Sequence, residues 1–190
     1  MNSEKSQISN IVSFFRTVCN LKKIKRVGWI HKLDIDLPES VADHSYSMCT
    51  ISMVLADMLN LRTEHIMKMA NLHDLAESLV GDMIHDSTSP EKKKLIEGRA
   101  MKKILSKLPS HLRDKYLDIW NEYVDNSTNS AKFVHNMDKL EMAIQAKEYE
   151  FDGYSKESLK VFLKSANDYI EKSDPDLVYK ILQKINDYSI

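Results

Sequence analysis

Apolar residues recur along this chain at intervals of three and four, the repeat of a helix seen from one side. No stretch sustains the every-second-residue alternation of a half-buried strand. Ile8, Ile11, Val12, Phe15 and Val18 predict a first helix from Gln7 to Asn20 with that stripe turned inward. A connection of about 20 residues follows, long for a compact domain and for that reason of functional interest, and it carries Arg26, Trp29 and Pro38. Ser40 or Asp43 then caps a helix to Leu59, with Met48, Ile51, Leu55 and Met58 on its apolar face. Thr63 caps the next, which runs to Val80 and stops at Gly81-Asp82. The polar stretch on to Ser89 predicts a loop. Pro90 starts a charged helix to Leu108, and Pro109 opens another to Asp125 that turns Leu112, Tyr116, Ile119, Trp120 and Tyr123 inward. Ser130 to Tyr149 is the next, and the segment from Lys156 to Tyr188 makes two more. The expected fold is all-α, one domain over residues 1–190.

Some polar residues fall where the pattern demands burial. Between Glu64 and Val80 the inward positions are Ile66, Met69, Ala70, His73, Ala76, Glu77 and Val80, so His73 and Glu77 interrupt an apolar stripe, with Asp74 beside them. His44 lies on the apolar face of the helix that Ser40 or Asp43 caps, and Asp138 lines up with Val134, Met137 and Glu141. Burying such groups without partners costs roughly 2 to 7 kcal/mol each, and more for a charge, so hydrogen bonds or a cation must compensate. His44, His73, Asp74 and Asp138 together supply the mixed imidazole and carboxylate donors of a divalent cation that stays open to substrate.

Composition narrows the classes. The 27 basic and 28 acidic residues are interspersed, which excludes a field for wrapping a nucleic-acid polymer or lying on an anionic membrane. No apolar run reaches the roughly 18 residues of a membrane span. The opening Met1-Asn-Ser-Glu-Lys-Ser-Gln7 lacks the hydrophobic segment of a secretion signal, so a cytoplasmic chain is expected. Cys19 and Cys49 read as buried or half-buried thiols of a reducing compartment. A Gly-rich phosphate loop, a serine-nucleophile motif and an Arg-bearing cysteine loop are all missing, which excludes P-loop, serine and cysteine-phosphatase chemistry.

The order His44, then His73-Asp74, then Asp138 resembles the H…HD…D signature of the HD-domain phosphohydrolase superfamily. Four blocks, Arg26-Val-Gly-Trp29, Glu39-Ser-Val-Ala-Asp-His44-Ser45, His73-Asp-Leu-Ala-Glu77 with Gly81-Asp82, and Asp138-Lys-Leu-Glu141, are similar to its 5′-deoxynucleotidase branch. The resemblance spans Arg26 to Glu150 and implies an HD-type helical bundle with a motif-bearing core over residues 26–150 and the helices of 156–188 packed on it. It makes His44, His73, Asp74 and Asp138 the ligands of a divalent cation: manganese, cobalt, iron or magnesium, with zinc also accepted. It puts Glu77 at the catalytic position, one turn beyond His73 on the same helix, where a carboxylate acts on water. Asp82 takes the second acidic position, either fixing a sugar hydroxyl or holding the loop.

Hydrolysis of a phosphate monoester also needs a cationic donor on the non-bridging oxygens. Lys22-Lys-Ile-Lys-Arg26 reads in isolation as a basic helix end, and the resemblance assigns the phosphate to Arg26. Trp29 resembles the aromatic that packs beside the sugar and disfavours a 2′-hydroxyl, although bacterial members have Arg and Trp adjacent and here two residues intervene. The implied activity is removal of the 5′-phosphate from nucleoside monophosphates, deoxy preferred, by a homodimer whose interface is sought around Trp120 and Tyr123 or in the tail. The same ligands serve hydrolysis of diphosphorylated or cyclic nucleotides, and the competing class is a non-catalytic nucleotide- or metal-binding module. His31, His65, His85, His111 and His135 fall off the motif and read as surface groups or ordinary polar contacts, with His135, three residues before Asp138, the candidate for an exception in a second layer around the site.

Overall fold

A computed structural model describes residues 2–33, 35–83, 89–170 and 176–188 of the chain. The helices are α1 (Asn2–Cys19), α2 (Val27–Leu33), α3 (Val41–Met58), α4 (Thr63–Leu72), α5 (Glu77–Val80), α6 (Pro90–Leu105), α7 (Ser110–Asp125), α8 (Asn129–Phe151), α9 (Lys156–Ile170) and α10 (Asp176–Asn186). Between α1 and α2 lies one 3₁₀ turn, Asn20–Lys23. The all-α expectation holds.

The termini follow local chemistry. Ser40 caps α3 reciprocally: its Oγ accepts from the Asp43 amide at 3.2 Å while Asp43 Oδ2 accepts from the Ser40 amide at 2.8 Å. Ser89 and Thr128 accept from the Lys92 and Ala131 amides to open α6 and α8, and Pro90 stands where α6 has no use for an N–H. Ser40→Ala is expected to cost about 1 kcal/mol, read as a lower urea midpoint.

The core centres on α3, α4 and α8, where Met48, Ile66, Met69, Met137 and Leu140 are fully buried. On the outer side of α8 lie α9, through Leu159, Ala166 and Ile170, and α10, through Val178 and Leu182. On the side of α4, α7 contributes Ile119 and Trp120. The helices that carry His44 and lead into His73-Asp74, α3 and α4, both pack on α8.

Several expectations change. The segment 21–39 is not a bare connection: it contains α2, and it folds back on the start of α3 through an antiparallel pairing of Lys25 with Ser40. The amide of Arg26 donates to the Glu39 carbonyl at 3.1 Å, that of Val41 to the Ile24 carbonyl at 2.9 Å, and Lys25 Nζ to the Pro38 carbonyl at 2.8 Å.

The helix predicted over 63–80 is broken. After Leu72 the amides of Leu75, Glu77, Ser78 and Leu79 reach back three residues rather than four. The cause lies with His73, whose Nδ1 sits 2.6 Å from the Ala70 carbonyl and takes it out of the α-helical ladder. Gly81, at φ 78°, ends α5 in a backbone region that a side chain would strain, and it sets the direction of Asp82. Of the loop expected up to Ser89, residues 84–88, His85 among them, lie outside the described residues.

Finally, α1 docks by its other side. Ile8, Val12 and Phe15 are at least half exposed, while Thr17 is buried and Phe14 packs on the core. Lys107 Nζ fastens that side by donating to the Ser13 carbonyl and to Thr17 Oγ1. Met58 likewise faces outward, and Cys19 is an exposed free thiol whereas Cys49 is buried.

Candidate metal centre

His44 enters from the first turn of α3, fully buried. His73 and Asp74 follow the last residue of α4, and Asp138 comes from the middle of α8. His44 Nε2 and His73 Nε2 are 3.3 Å apart, His73 Nε2 is 3.0 Å from Asp74 Oδ2, and His44 Nε2 is 3.3 Å from Asp138 Oδ1. The donor atoms of His44, His73 and Asp74 lie within 4.8 Å of one another, a group that could hold a metal ion, and Asp138 joins it on the His44 side.

The donor set fits a divalent cation. His44 Nδ1 is 2.5 Å from Glu141 Oε2 and His73 Nδ1 is 2.6 Å from the Ala70 carbonyl, so each imidazole proton has an acceptor on its Nδ1 side. That leaves two Nε2 lone pairs and two carboxylates converging on one point. The set also takes a proton: although burial and Arg26 oppose it, the hydrogen bonds to Asp138 and Glu141 push the His44 imidazolium up to about 10. Proton and cation therefore compete for His44 Nε2. Burial works against ionised Asp74 and Asp138 as well, yet His73, Arg26 and His44 hold Asp74 below the usual carboxylate range, and Lys139, His44 and Arg26 do the same for Asp138.

Glu77 is a buried side chain, 3% exposed, and its Oε2 has no hydrogen-bond partner among the described residues. The Glu77 amide donates to the Asp74 carbonyl at 3.0 Å, a three-residue turn, so the two residues follow one another within one tight turn of backbone. Burial, Asp74 and Asp82 push its carboxyl well above the usual range, against Arg26 and Lys93. Among the described residues this leaves a buried carboxyl oxygen unpaired close to the candidate cation cluster, with Ser78 Oγ beside it in the chain also unpaired.

The arm over 20–33 supplies the positive charge. Arg26 Nη1 is 3.4 Å from Asp74 Oδ2, Nη2 is 4.0 Å from Asp138 Oδ1 and Nε is 3.9 Å from Glu39 Oε1. Burial lowers its affinity for the proton, but these carboxylates and Asp82 raise it further, so Arg26 stays charged. Asp82 Oδ2 accepts from the Val27 amide at 2.8 Å and thereby pins the start of α2 to the site. Trp29 is 2% exposed, lies against Phe162 and Tyr149 at ring-centroid distances of 4.1 and 5.1 Å, and donates from Nε1 to Glu39 Oε1 at 2.8 Å.

All the residues that the sequence singled out thus meet in one region, Trp29 by way of Glu39. Glu39 itself was quoted only as part of a motif. Its carboxyl is pushed up to about 7 by burial and by Glu141, against His44, Arg26 and Trp29, and with His44 and Glu141 it forms a second close group of donors. No periodicity marks Glu39, since it precedes α3. His135 is no direct partner of Asp138 in this arrangement: it stacks on Tyr123 at 4.0 Å, and Tyr123 meets the edge of His73 at 5.6 Å. Trp120, expected near a surface between copies, is core and donates from Nε1 to the His73 carbonyl at 3.3 Å. His65 pairs with Glu122 at 2.9 Å, and His31 and His111 are exposed.

An all-helical bundle that gathers two imidazoles, two carboxylates and an arginine at one buried point is the scaffold of a cation-dependent site. The chain belongs to the HD domain family, whose description matches residues 18–177. It is 39% identical over 142 residues to the Homo sapiens protein named 5′-deoxynucleotidase HDDC2, covering 74% of this chain and 69% of that one. It is 40% identical over 151 residues to the Dictyostelium discoideum protein of the same name, covering 75% and 79%. Among solved structures, a conserved hypothetical protein from Pyrococcus furiosus superposes with a TM-score of 0.80 at 30% identity, covering 93% of this chain and 99% of that one. Among the described residues no helix is long and apolar enough to cross a membrane.

Proposed function

We propose that this chain is a metal-dependent phosphomonoesterase that releases the 5′-phosphate of deoxyribonucleoside 5′-monophosphates. The observation that carries the reading is the convergence of His44, His73 and Asp74 donor atoms within 4.8 Å, with the Arg26 guanidinium 3.4 Å from Asp74, in a chain 39% identical to a protein named 5′-deoxynucleotidase. His44, His73, Asp74 and Asp138 would hold the cation; the nitrogen and oxygen donors suit manganese, cobalt, iron or magnesium, with zinc also accepted. A bound divalent cation supplies Lewis acidity toward water and the phosphoryl oxygens.

The chain's own residues do the rest. Arg26 offers its Nη1 and Nη2 edge to the non-bridging oxygens, beside Asp74 and Asp138. Glu77 takes a proton from the attacking water, whose oxygen forms the new bond to phosphorus as the bond to O5′ breaks. The proton is returned to the leaving oxygen, giving a deoxynucleoside and inorganic phosphate. Asp82 holds the arm through the Val27 amide, which supports the loop-holding alternative over contact with the sugar through that oxygen. Trp29 is proposed to affect the sugar side as a rigid wall set by Phe162, Tyr149 and Glu39. For the expected homodimer, the exposed Ile8, Val12 and Phe15 stripe of α1 is better suited than the buried Trp120.

The test is phosphate release from a panel of deoxy- and ribonucleoside 5′-monophosphates, 3′-monophosphates, cyclic nucleotides and nucleoside diphosphates, with each of the divalent metals added to metal-stripped protein. Turnover confined to the 5′-monophosphates, faster on the deoxy sugar, is expected. Preference for a cyclic or diphosphorylated nucleotide would replace the reading, and no release from any of them would leave a binding module.

A further inference from the structure

We propose that Glu39 is the positioning residue of the phosphate site: its carboxylate locks Arg26 and Trp29 to one another, so substrate affinity depends on it although it touches no substrate. The inference rests on the reading above of Arg26 as the phosphate group's partner.

Glu39 is tied at its carbonyl, its amide and Oε1. Its carbonyl accepts from the Arg26 amide at 3.1 Å, and its amide donates to Tyr149 Oη at 2.8 Å. Its Oε1 accepts from Trp29 Nε1 at 2.8 Å and stands 3.9 Å from Arg26 Nε, with the side chain only 7% exposed. Tyr149 closes the circle by meeting the Trp29 ring edge-on at 5.1 Å. A carboxylate so held has one geometry, and what it touches inherits that geometry.

The guanidinium explains why this matters. It is a planar fork, and an anion on its Nε side leaves the Nη1 and Nη2 ends to point the other way. Those ends face Asp74 and Asp138, the cluster where a phosphate would meet the cation. Asp74 and Asp138 are also proposed cation ligands, so their charge is shared once a cation binds. Glu39 is the carboxylate beside Arg26 Nε, at 3.9 Å, and it is not one of the four proposed cation ligands. Without the Glu39 carboxylate, Arg26 keeps its charge and its contacts with Asp74 and Asp138 but loses the anion on its Nε side, the one that a bound cation does not share.

A double-mutant cycle tests this. Glu39→Gln keeps an acceptor for the Trp29 indole and removes the charge, which leaves the packing in place. In the Mn(II)-loaded protein it is expected to weaken binding of inorganic phosphate, measured by calorimetry, by about 10-fold, and to raise KM for a deoxynucleoside monophosphate more than it lowers kcat. In an Arg26→Ala background the same change should have no further effect on phosphate binding, because the partner it acts through is gone. Equal fold losses in both backgrounds, or unchanged phosphate affinity in the single variant, would overturn the proposal. Phosphate binding is read apart from turnover, so a protein that binds phosphate through Arg26 and Glu39 but hydrolyses no monophosphate would sink the functional reading and leave the positioning role standing. A protein that binds no phosphate would sink both.

Discussion

Glu77→Gln is expected to lower kcat by about 10²–10⁴-fold while cation content and nucleotide affinity stay near those of the parent. The expectation follows from what surrounds the side chain. Glu77 is buried, one of its oxygens has no hydrogen-bond partner among the described residues, and its amide is bonded to the Asp74 carbonyl in a tight turn. A buried unpaired acceptor costs about 1–3 kcal/mol, a cost that a water or cation partner at this site would offset. Glutamine keeps the shape and removes the base, so the loss should appear in turnover alone. The measurements are steady-state phosphate release, metal content after gel filtration, and equilibrium binding of a deoxynucleoside monophosphate. A fall in metal content parallel to the fall in kcat would make Glu77 a ligand, and a lowered melting temperature with unchanged kcat would make it structural.

The centre was legible in the sequence because its residues violate the pattern that built the fold. His44, His73, Glu77 and Asp138 each fall on an apolar helix face, and a polar group there must be compensated. The helices themselves were legible for the same reason, except where tertiary contacts overrule the local repeat. Nothing in the spacing of Met69, Ala70, His73 and Ala76 announces a break, since it comes from the His73 ring capturing the Ala70 carbonyl. The helix α2 was hidden because Trp29 is its one buried residue, so no stripe exists to be read. The side on which α1 docks was misread because the chain offers two apolar stripes, and the one containing Phe14 wins with the help of Lys107 and Thr17. Glu39 was invisible as a site residue for a topological reason. Its distance to Arg26 and Trp29 is set only when the arm pairs with the start of α3 through Lys25 and Ser40.

Asp74→Asn is expected to abolish phosphate release, by about 10³-fold or more, and to do so through the cation. Asp74 Oδ2 lies 3.0 Å from His73 Nε2 and, at 3.4 Å, is the closest carboxylate to Arg26 among the described ion pairs. The carboxamide preserves its volume, so the packing of α4 on α8 is undisturbed, while one of the proposed anionic ligands is lost. His73→Ala removes a nitrogen donor from the same group and should match it in activity, but it also frees the Ala70 carbonyl and should lower the melting temperature as well. The two variants together separate cation binding from local folding. The check is metal analysis of chelator-treated and reloaded protein, with Glu122→Gln, whose partner His65 sits in the first turn of α4 well away from the centre, as control. The parent and the control should recover turnover on adding back the divalent metal, whereas Asp74→Asn should recover none at concentrations that saturate the parent. If Asp74→Asn retained stoichiometric metal and still failed to turn over, Asp74 would act on Arg26 or on water instead of on the cation, and the ligand set would have to be drawn from His44, His73 and Asp138 alone.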